Sequence, residues 1–472
     1  MSFPKYPEYK DSGVEWLGEV PAHWALSRVK YDSHVKARIG WHGLTSDEFT
    51  EVGPYLVTGS DFKGKSVCWS ECYHCTEERY AQDPHIQLKE GDLLITKDGT
   101  IGKLILVEGL PGKATLNSGI FVVRPLKEKY STRFYYWLLQ SRVFKDYIGI
   151  HRTGSTILHL YQETFENLAY ALPPVTEQTR IVAFLDNETG KIDTLIEEQR
   201  RLVELLKEKR QAVISHAVTK GLDPNVPMKD SGVDWLGEVP AHWEIRKLST
   251  VTEKITNGYV GPTRDIFVSE GVPYLQSLHI KNNQIVFSPK YFVSEEWSRL
   301  HHKSILRAGD VLIVQTGDIG QVAVVTKEFT GSNCHALIVV SPVSEFLYGV
   351  WLSWVLNSDY GYNSLLSIKT GALHPHLNCG YVKDVYVPLP PLGEQYDLVG
   401  HIERELESFS GLISEAEKAK YLLQERRSAL ISAAVTGKID VRGWSAGAET
   451  KEPELAMVAE ESAGYSARGG AA

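Results

Sequence analysis

The sequence predicts an α+β fold in which two homologous α/β domains are separated by two long antiparallel coiled-coil helices with internal pseudo-twofold symmetry. Three observations support this fold: a long segment occurs twice, a helical heptad pattern follows each copy, and short apolar stretches alternate with turn residues inside each copy. A repeated sequence indicates repeated structural units. We therefore expect two large modules in the 472 residues, rather than the three domains that length alone would suggest.

The repeat is clearest at the head of each module. KDSGVEWLGEVPAHW at Lys10 to Trp24 returns as KDSGVDWLGEVPAHW at Lys229 to Trp243. Further along, GDLLITKDGTIG from Gly91 corresponds to GDVLIVQTGDIG from Gly309. Between such segments the two copies diverge, which indicates one scaffold carrying two different surfaces.

The repeat and the composition divide the chain into seven segments. They are an N-terminal segment with the first head (1–24), a first globular domain (25–174), a first spacer helix (175–220), a linker with the second head (221–243), a second globular domain (244–391), a second spacer helix (392–442) and a small, acidic tail (443–472). The tail has no periodicity and is predicted to be disordered.

Each globular part is predicted to mix strands and helices. Strands are expected at Asp92 to Thr96, Leu104 to Val107 and Phe121 to Arg124, because each apolar stretch ends in turn residues. Helices are expected at Ser131 to Tyr147 and at Phe346 to Asn357.

The spacer segments have apolar residues at heptad spacing among alternating charges, which is typical of a coiled coil. LPPVTEQ from Leu172 and LPPLGEQ from Leu389 precede them, and both end in an AVT sequence with a nearby glycine. About 40 residues would form a helix of roughly 60 Å, and two such helices bury their seams most easily by packing antiparallel. The predicted seam consists of Leu185, Ile192, Leu195, Leu202, Leu206, Val213, Ile402, Phe409, Leu412, Leu423 and Leu430.

Composition excludes several classes of protein. No apolar stretch approaches the ~18 residues of a membrane span, and the first residues have no hydrophobic signal core, so a cytoplasmic location is expected. Five cysteines, differently placed in the two copies, do not form a disulfide framework. The net charge is −9, but the acidic excess lies outside the globular parts, which are close to neutral.

Motifs for catalysis are weak. Gly59 to Ser66 matches the phosphate-binding pattern GxxxxGK[ST], but no amphipathic helix follows and the other copy lacks the pattern. Cys72 and Cys75 have zinc-knuckle spacing, with Cys68 nearby, but no second pair follows, so no metal site is expected. GxSxG, HExxH and strand-led GxGxxG motifs are absent from the sequence. We therefore predict a non-catalytic chain.

The polar, glycine-containing turns are better candidates for binding. Glycine allows a backbone to approach a phosphate or a base edge, and Lys, Arg, Gln or Thr can donate hydrogen bonds there. Solvated surface charge is an equally good explanation for any single residue. The candidates are Lys36, Arg38, Lys63, Lys65, Lys97, Thr100, Lys103, Lys113, Arg152 and Ser155 in the first domain, and Lys254, Arg264, Lys281, Gln315, Thr316, Gln321, Lys369 and Thr370 in the second.

These ordered, duplicated motifs resemble the specificity subunit of type I restriction-modification systems, over nearly the whole chain to about Gly443. The resemblance implies that each globular part is a target recognition domain and that the chain reads an asymmetric bipartite site in double-stranded DNA. It also implies two modification subunits that use S-adenosylmethionine for adenine-N6 methylation, and restriction subunits that use ATP and Mg. Catalysis and these cofactors would belong to the partners.

Three alternatives stay open at this point. The chain could serve a methylation-only or a fused nuclease-methylase system, it could be a coiled-coil scaffold that does not bind DNA, or it could be a P-loop ATPase. Because the globular parts are nearly neutral, the isolated chain is expected to bind DNA weakly. If the helices act as a ruler, deleting seven residues from one of them should alter the gap between half-sites.

Overall fold

The computed structural model describes residues 3–38, 44–64, 66–150, 159–371 and 375–446. The chain divides into two compact units. Unit 1 runs to Glu198 and resumes at Ala419, and unit 2 comprises Gln199–Lys418. Each unit therefore contains one globular domain together with part of each long helix.

The first globular domain and the helix that follows it contain thirteen strands and six α-helices among the described residues. The strands are β1 Tyr9–Asp11, β2 Glu19–Pro21, β3 Ala25–Arg28, β4 Ser33–Lys36, β5 Thr50–Val57, β6 Phe62–Lys63, β7 Ser66–Val67, β8 Tyr73–His74, β9 Leu93–Thr96, β10 Leu104–Leu106, β11 Ala114–Leu116, β12 Ile120–Pro125 and β13 Ala169–Leu172. The helices are α1 Val29–Asp32, α2 Glu77–Ala81, α3 Thr132–Gln140, α4 Arg142–Ile150, α5 Gln162–Glu166 and α6 Val175–Lys220.

The second half has the same order of principal elements. Its strands are β14 Met228–Asp230, β15 Glu238–Pro240, β16 Glu244–Lys247, β17 Thr252–Asn257, β18 Phe267–Val268, β19 Val272–Leu275, β20 Ile280–Lys281, β21 Gln284–Ile285, β22 Phe292–Val293, β23 Val311–Val314, β24 Val322–Val324, β25 Asn333–Cys334, β26 Leu337–Pro342 and β27 Tyr386–Leu389. Its helices are α7 Leu248–Val251, α8 Glu295–Leu300, α9 Gly349–Asn357, α10 Asp359–Ser367, α11 Cys379–Val382 and α12 Leu392–Val435.

The central sheets of the two domains correspond. In the first domain the order is β4-β12-β9-β10, extended by β7 and β6, and in the second it is β17-β26-β23-β24. The middle strands β9 and β23 are buried along their whole length, as expected for apolar stretches covered on both faces. The hairpins β9-β10 and β23-β24 place their connecting turns at one end of each sheet.

The three predicted strands are confirmed as β9, β10 and β12, and the predicted second-domain helix as α9. The helix predicted for Ser131 to Tyr147 is instead two helices, because Ser141 ends the first. Its buried hydroxyl donates to the carbonyl of Leu138 at 2.6 Å, and Ser358 does the same at the matching break with Val355, also at 2.6 Å. Such bonding favours a helix end over a helix interior.

The repeated motifs form repeated contacts. In unit 1, Glu177 of the LPPVTEQ sequence accepts from the indole Nε1 of Trp24 at 3.0 Å and lies 2.7 Å from Nε2 of His23. In unit 2, Glu394 makes the same two contacts with the second Trp-His pair, at 3.0 and 2.8 Å. The head and the LPPxxEQ sequence therefore recur together because the same carboxylate contact joins them in each unit, with Glu177 buried and Glu394 partly buried.

The long helices pack antiparallel in unit 1. Asp193 of α6 accepts from Arg427 of α12 at 2.7 Å, and Arg180 donates to the carbonyl of Arg442 at 2.7 Å. Contacts therefore move from the segment after α12 back into α12 as they move forward along α6. In unit 2, segments of the same two helices share one hydrophobic core.

Three residues of the predicted seam are wrong, because in each case the next residue in the sequence faces inward instead. Leu185 and Ile192 are buried as predicted, but Leu195, Leu202 and Leu412 are 44%, 42% and 47% exposed. The inward positions are instead Ile196, Val203 and Ile413, of which Val203 is buried and the other two partly buried. After Leu185 the next inward residues are Thr189, four residues on, and Ile192, three residues further. Because Thr189 is polar although it is buried, a search for apolar residues does not detect this second set of seam positions. Leu206, Val213, Ile402, Phe409, Leu423 and Leu430 are buried or partly buried.

The second spacer helix ends earlier than predicted. It ends at Val435 rather than at residue 442, because Gly437 adopts φ +72°, a left-handed conformation that terminates helices. A Cβ at Gly437 would lie 2.4 Å from the ring of Pro21, so the first head packs closely on this glycine.

Trp444 lies in the predicted tail, yet its ring packs edge-on against Phe184 at 5.5 Å. Residues 447–472 of that tail lie outside the described residues.

The structure also describes most of the sequence that matches the phosphate-binding pattern, and the cysteines that have zinc-knuckle spacing. Gly59–Asp61 forms a single 3-10 turn that leads into β6, so no helix starts at the described residues of the P-loop-like sequence. Within the described ranges no group of three His, Cys, Asp or Glu side chains is placed to hold a metal ion. No helix among the same residues is long and apolar enough to cross a membrane.

Candidate nucleic-acid interface

In the first domain, the candidate turn between β9 and β10 is tied to the sheet by Thr96. The buried Thr96 hydroxyl donates to the carbonyl of Thr100 and accepts from the backbone of Lys103 at 2.9 Å. Gly99 and Gly102 have φ values of +67° and +81°, which glycine adopts readily. The turn is thus held at its base and presents the exposed Thr100 and Lys103.

Lys97 was predicted as a candidate DNA-binding residue, but its side chain is largely buried. Its side chain is 11% exposed, lies 3.6 Å from Asp98 and sits over the ring of Phe121 at 5.8 Å. The carboxylate of Asp98 in turn hydrogen bonds Nδ1 of His159. Lys97 therefore acts as an internal counter-charge, and Asp98 is the more exposed group of the pair.

In the second domain, the turn between β23 and β24 has the same backbone design. Gly317 and Gly320 have φ values of +80° and +87°, and Val314 N donates to the carbonyl of Gln321 at 2.9 Å. Gln315 is half-buried, and its buried Oε1 has no hydrogen-bond partner among the residues that the structure describes. The matching turns thus share their geometry and differ in their side chains.

Several predicted residues of the second domain lie together around this turn. Thr316, Gln321, Lys369 and His376 line an open cleft of about 770 Å³. Thr370 lies beside it, since its hydroxyl is 3.2 Å from Nε2 of His376. Hydroxyl, amide and ammonium groups at one concave surface can donate to phosphates and to base edges.

Arg38 was a wrong candidate, because it is buried. Its Nε donates to the carbonyl of Leu116 at 2.8 Å and its Nη2 to the hydroxyl of Thr115 at 3.3 Å. Burial lowers the pKa of the guanidinium. Arg38 therefore joins two parts of the first domain.

Two further lysines are exposed but paired. Lys63 bonds Glu71, and Lys113 bonds Glu77 at 2.9 Å. The hydrogen bonds that the two lysines donate to these carboxylates raise the pKa of both lysines. The remaining candidates differ in placement. Arg264 and Lys281 are exposed, Lys36 and Lys254 are partly exposed, and Lys65, Arg152 and Ser155 lie outside the described residues.

Sequence reasoning missed two kinds of residue. Lys303 and Lys383 join Lys254 along an open groove of about 470 Å³, although the three are distant in sequence. His159 and His376 were also missed, although each precedes a leucine at the same position of the repeat. That repeated His-Leu pair was the signal that could have found them.

Two domains on one scaffold, with different side chains on matching turns and a pair of long helices, are the architecture of a modular recognition protein. The family model described as type I restriction modification DNA specificity domain matches residues 44–205 and 240–404. The chain therefore belongs to the type I restriction-modification DNA specificity family, as a specificity subunit.

Relatives with this description span most of the chain. The type I restriction enzyme EcoBI specificity subunit of Escherichia coli is 23% identical over 362 residues, which cover 75% of this chain and 75% of that protein. The MjaVIII specificity subunit of Methanocaldococcus jannaschii is 24% identical over 458 residues, or 94% of this chain and 98% of the relative. A solved structure concerned with complex assembly and conformational transition of the type I R-M system covers 88% of this chain and 98% of its own, at 18% identity and a TM-score of 0.68. That similarity shows the shared fold.

Proposed function

We propose that this chain reads an asymmetric bipartite DNA site, one half per globular domain, and directs adenine-N6 methylation and restriction by partner subunits. The observation that carries the proposal is the pair of matching turns. The two turns connect the strands of corresponding hairpins but start with different residues, Lys97-Asp98 in the first domain and Gln315-Thr316 in the second. One scaffold with two different polar surfaces is suited to two different half-sites.

The second-domain cleft has suitable chemistry for a base edge. Gln321 can bond adenine through two atoms and Thr316 can bond several bases, whereas Lys369 suits a phosphate. The groove of Lys254, Lys303 and Lys383 offers further positive charge for the backbone of the same half-site.

Partner subunits are part of the proposal for two reasons. The nearly neutral globular domains imply a small phosphate footprint, so we expect the modification subunits to supply further affinity. Apolar side chains are also exposed on the helices. In unit 2 they include Leu202, Leu205 and Leu412, which another helix could cover. S-adenosylmethionine, ATP and Mg would bind to the partners.

The test is single-molecule sequencing of adenine methylation in DNA from cells that express the chain with its modification subunit, compared with cells that lack the chain. We expect one new interrupted, asymmetric motif with methylated adenine in both halves. If an assembled complex with an active methylase gave no new motif, the chain would instead be a scaffold without DNA specificity.

A further inference from the structure

Each domain fixes its candidate turn with a histidine from a distant segment. Asp98 pairs with His159 in an isolated antiparallel β-bridge, and Thr316 pairs with His376 in the same way. The next residue adds the same backbone bond in both copies, from Leu160 N to the Lys97 carbonyl at 2.8 Å and from Leu377 N to the Gln315 carbonyl at 3.0 Å. The arrangement has persisted although the turns themselves have diverged.

The histidine side chains make different contacts in the two domains. His159 hydrogen bonds Asp98 of the turn through Nδ1, and its ring lies 4.6 Å from that of Tyr161. His376 instead contacts the hydroxyl of Thr370 at 3.2 Å through Nε2, while the two backbones exchange hydrogen bonds of 2.9 and 2.8 Å. His376 therefore connects the turn to the segment that carries Lys369.

Side chains pack near the base of each turn, since a Cβ at Gly102 would lie 3.5 Å from Ile148 and one at Gly320 would lie 3.2 Å from Tyr362, but the tips are not packed in this way. A Cβ at Gly99 or at Gly317 would meet nothing within 4 Å among the described residues, so the tips stand in open space. A turn of this kind keeps a fixed position only through the groups that tie its base, and a displacement of about 1 Å is enough to degrade a directional hydrogen bond.

We propose that His159 and His376 are positioning residues, each of which fixes the base preference of its own half-site. This inference rests on the proposed function. His376 joins Thr316 to Thr370 at the cleft that Gln321 and Lys369 also line, and His159 hydrogen bonds Asp98 in the first domain. Because the contacts described above lie within one domain in each case, the loss of either histidine affects one half of the DNA site.

The experiment uses the full chain, co-expressed with its modification subunit, and compares His376→Ala with His159→Ala by single-molecule methylation sequencing. We expect His376→Ala to lower discrimination at one or two positions of one half-site by about tenfold, the scale of one good base contact. His159→Ala should have the same effect on the other half-site. In each variant the opposite half-site and the gap should be unchanged.

Conservative variants separate positioning from simple structural damage. Asn places an amide near the position of Nδ1, and Gln places one near Nε2. We therefore expect His159→Asn and His376→Gln to restore most of the discrimination. Thr370→Val removes the hydroxyl that His376 contacts and should relax the same half-site as His376→Ala, which provides a second variant if His376→Ala fails to fold.

Two outcomes would overturn the inference: unchanged preference in both half-sites of the alanine variants, or equal loss in both halves of each. The wild-type chain distinguishes this failure from failure of the proposed function. A wild-type motif with unaltered variants rejects only the histidine roles, whereas the absence of any wild-type motif rejects DNA specificity itself.

Discussion

Asp32 is a fully buried carboxylate of the first domain. Burial by itself raises its pKa, but hydrogen bonds from Ser27, from Lys129 at 2.9 Å and from Tyr170 at 2.8 Å outweigh burial and lower the pKa overall. The corresponding residue of the second domain is Val251, at the end of α7. We therefore expect the two domains to differ in how their stability depends on pH.

Because the folded pKa of Asp32 is lowered, its carboxylate stabilises the fold above its unfolded pKa of about 3.9, and this stabilisation is lost as pH falls through the folded value. We predict that Asp32→Asn lowers the melting temperature of the first domain at pH 7. The difference in melting temperature between the variant and the wild type should become smaller below about pH 4. Thermal unfolding between pH 7 and pH 3 tests this. A difference that stays constant across the range would rule out the linkage.

At the residue scale, the positions of glycines predicted the candidate binding turns better than the positions of basic residues predicted exposed charges. The two candidate turns were found because glycines and polar residues follow a buried strand. Arg38 and Lys97 were misassigned, because local sequence does not say whether a long basic side chain extends to solvent or folds back onto a carbonyl or a carboxylate. His159 was missed because its partner, Asp98, is far away in sequence.

At the scale of elements, the start of α6 was predictable from Pro174 and the heptad pattern, whereas its seam was ambiguous. Heptad seams alternate steps of three and four residues, and apolar residues stand at both Leu195 and Ile196. Ile196 is the inward residue because it lies one heptad after Thr189, which also faces inward and whose hydroxyl donates to the Leu185 carbonyl. A search for apolar residues cannot find a seam position occupied by a threonine whose hydroxyl is hydrogen bonded within the helix.

The register predicts the cost of substitutions on this helix. Ile192 is 6% exposed, so Ile192→Ala should lower the free energy of unfolding by about 2–5 kcal/mol. Leu195→Ala, on the exposed side of the same turn, should change it by about 0.5 kcal/mol or less. Urea unfolding of the two variants measures both values, and equal losses would contradict the register.

At the scale of the whole molecule, the duplication made the architecture predictable, since repeated sequence that forms a core must form it twice. The roles of Glu177 and Glu394 were not predictable, because each carboxylate meets a head about 150 residues earlier in sequence. The sequence also left open how the units divide the two helices.

The helices predict a spacing rule. Removing one heptad from each, residues 199–205 and 416–422, preserves the seam pattern and shortens each helix by about 10 Å, or roughly three base pairs. We expect methylation sequencing to show a shorter gap between two unchanged half-sites, and a matched seven-residue insertion to lengthen it. An unaltered gap would mean that the helices do not set the distance.

The division of α12 between the units also has a consequence for biosynthesis. Unit 1 needs residues from Ala419 onward, since Asp440 N donates to the Pro4 carbonyl at 2.7 Å and Tyr9 donates to the Gly437 carbonyl at 3.0 Å. Those residues are translated some 220 positions after Glu198, a delay of roughly ten to forty seconds at 5–20 residues per second. During that interval unit 2, which is contiguous in sequence, is being synthesised, and the first half of the nascent polypeptide lacks part of its core. The domain made first is therefore completed after the domain made second, and we expect it to be most exposed to proteases and chaperones until the residues from Ala419 onward have been synthesised.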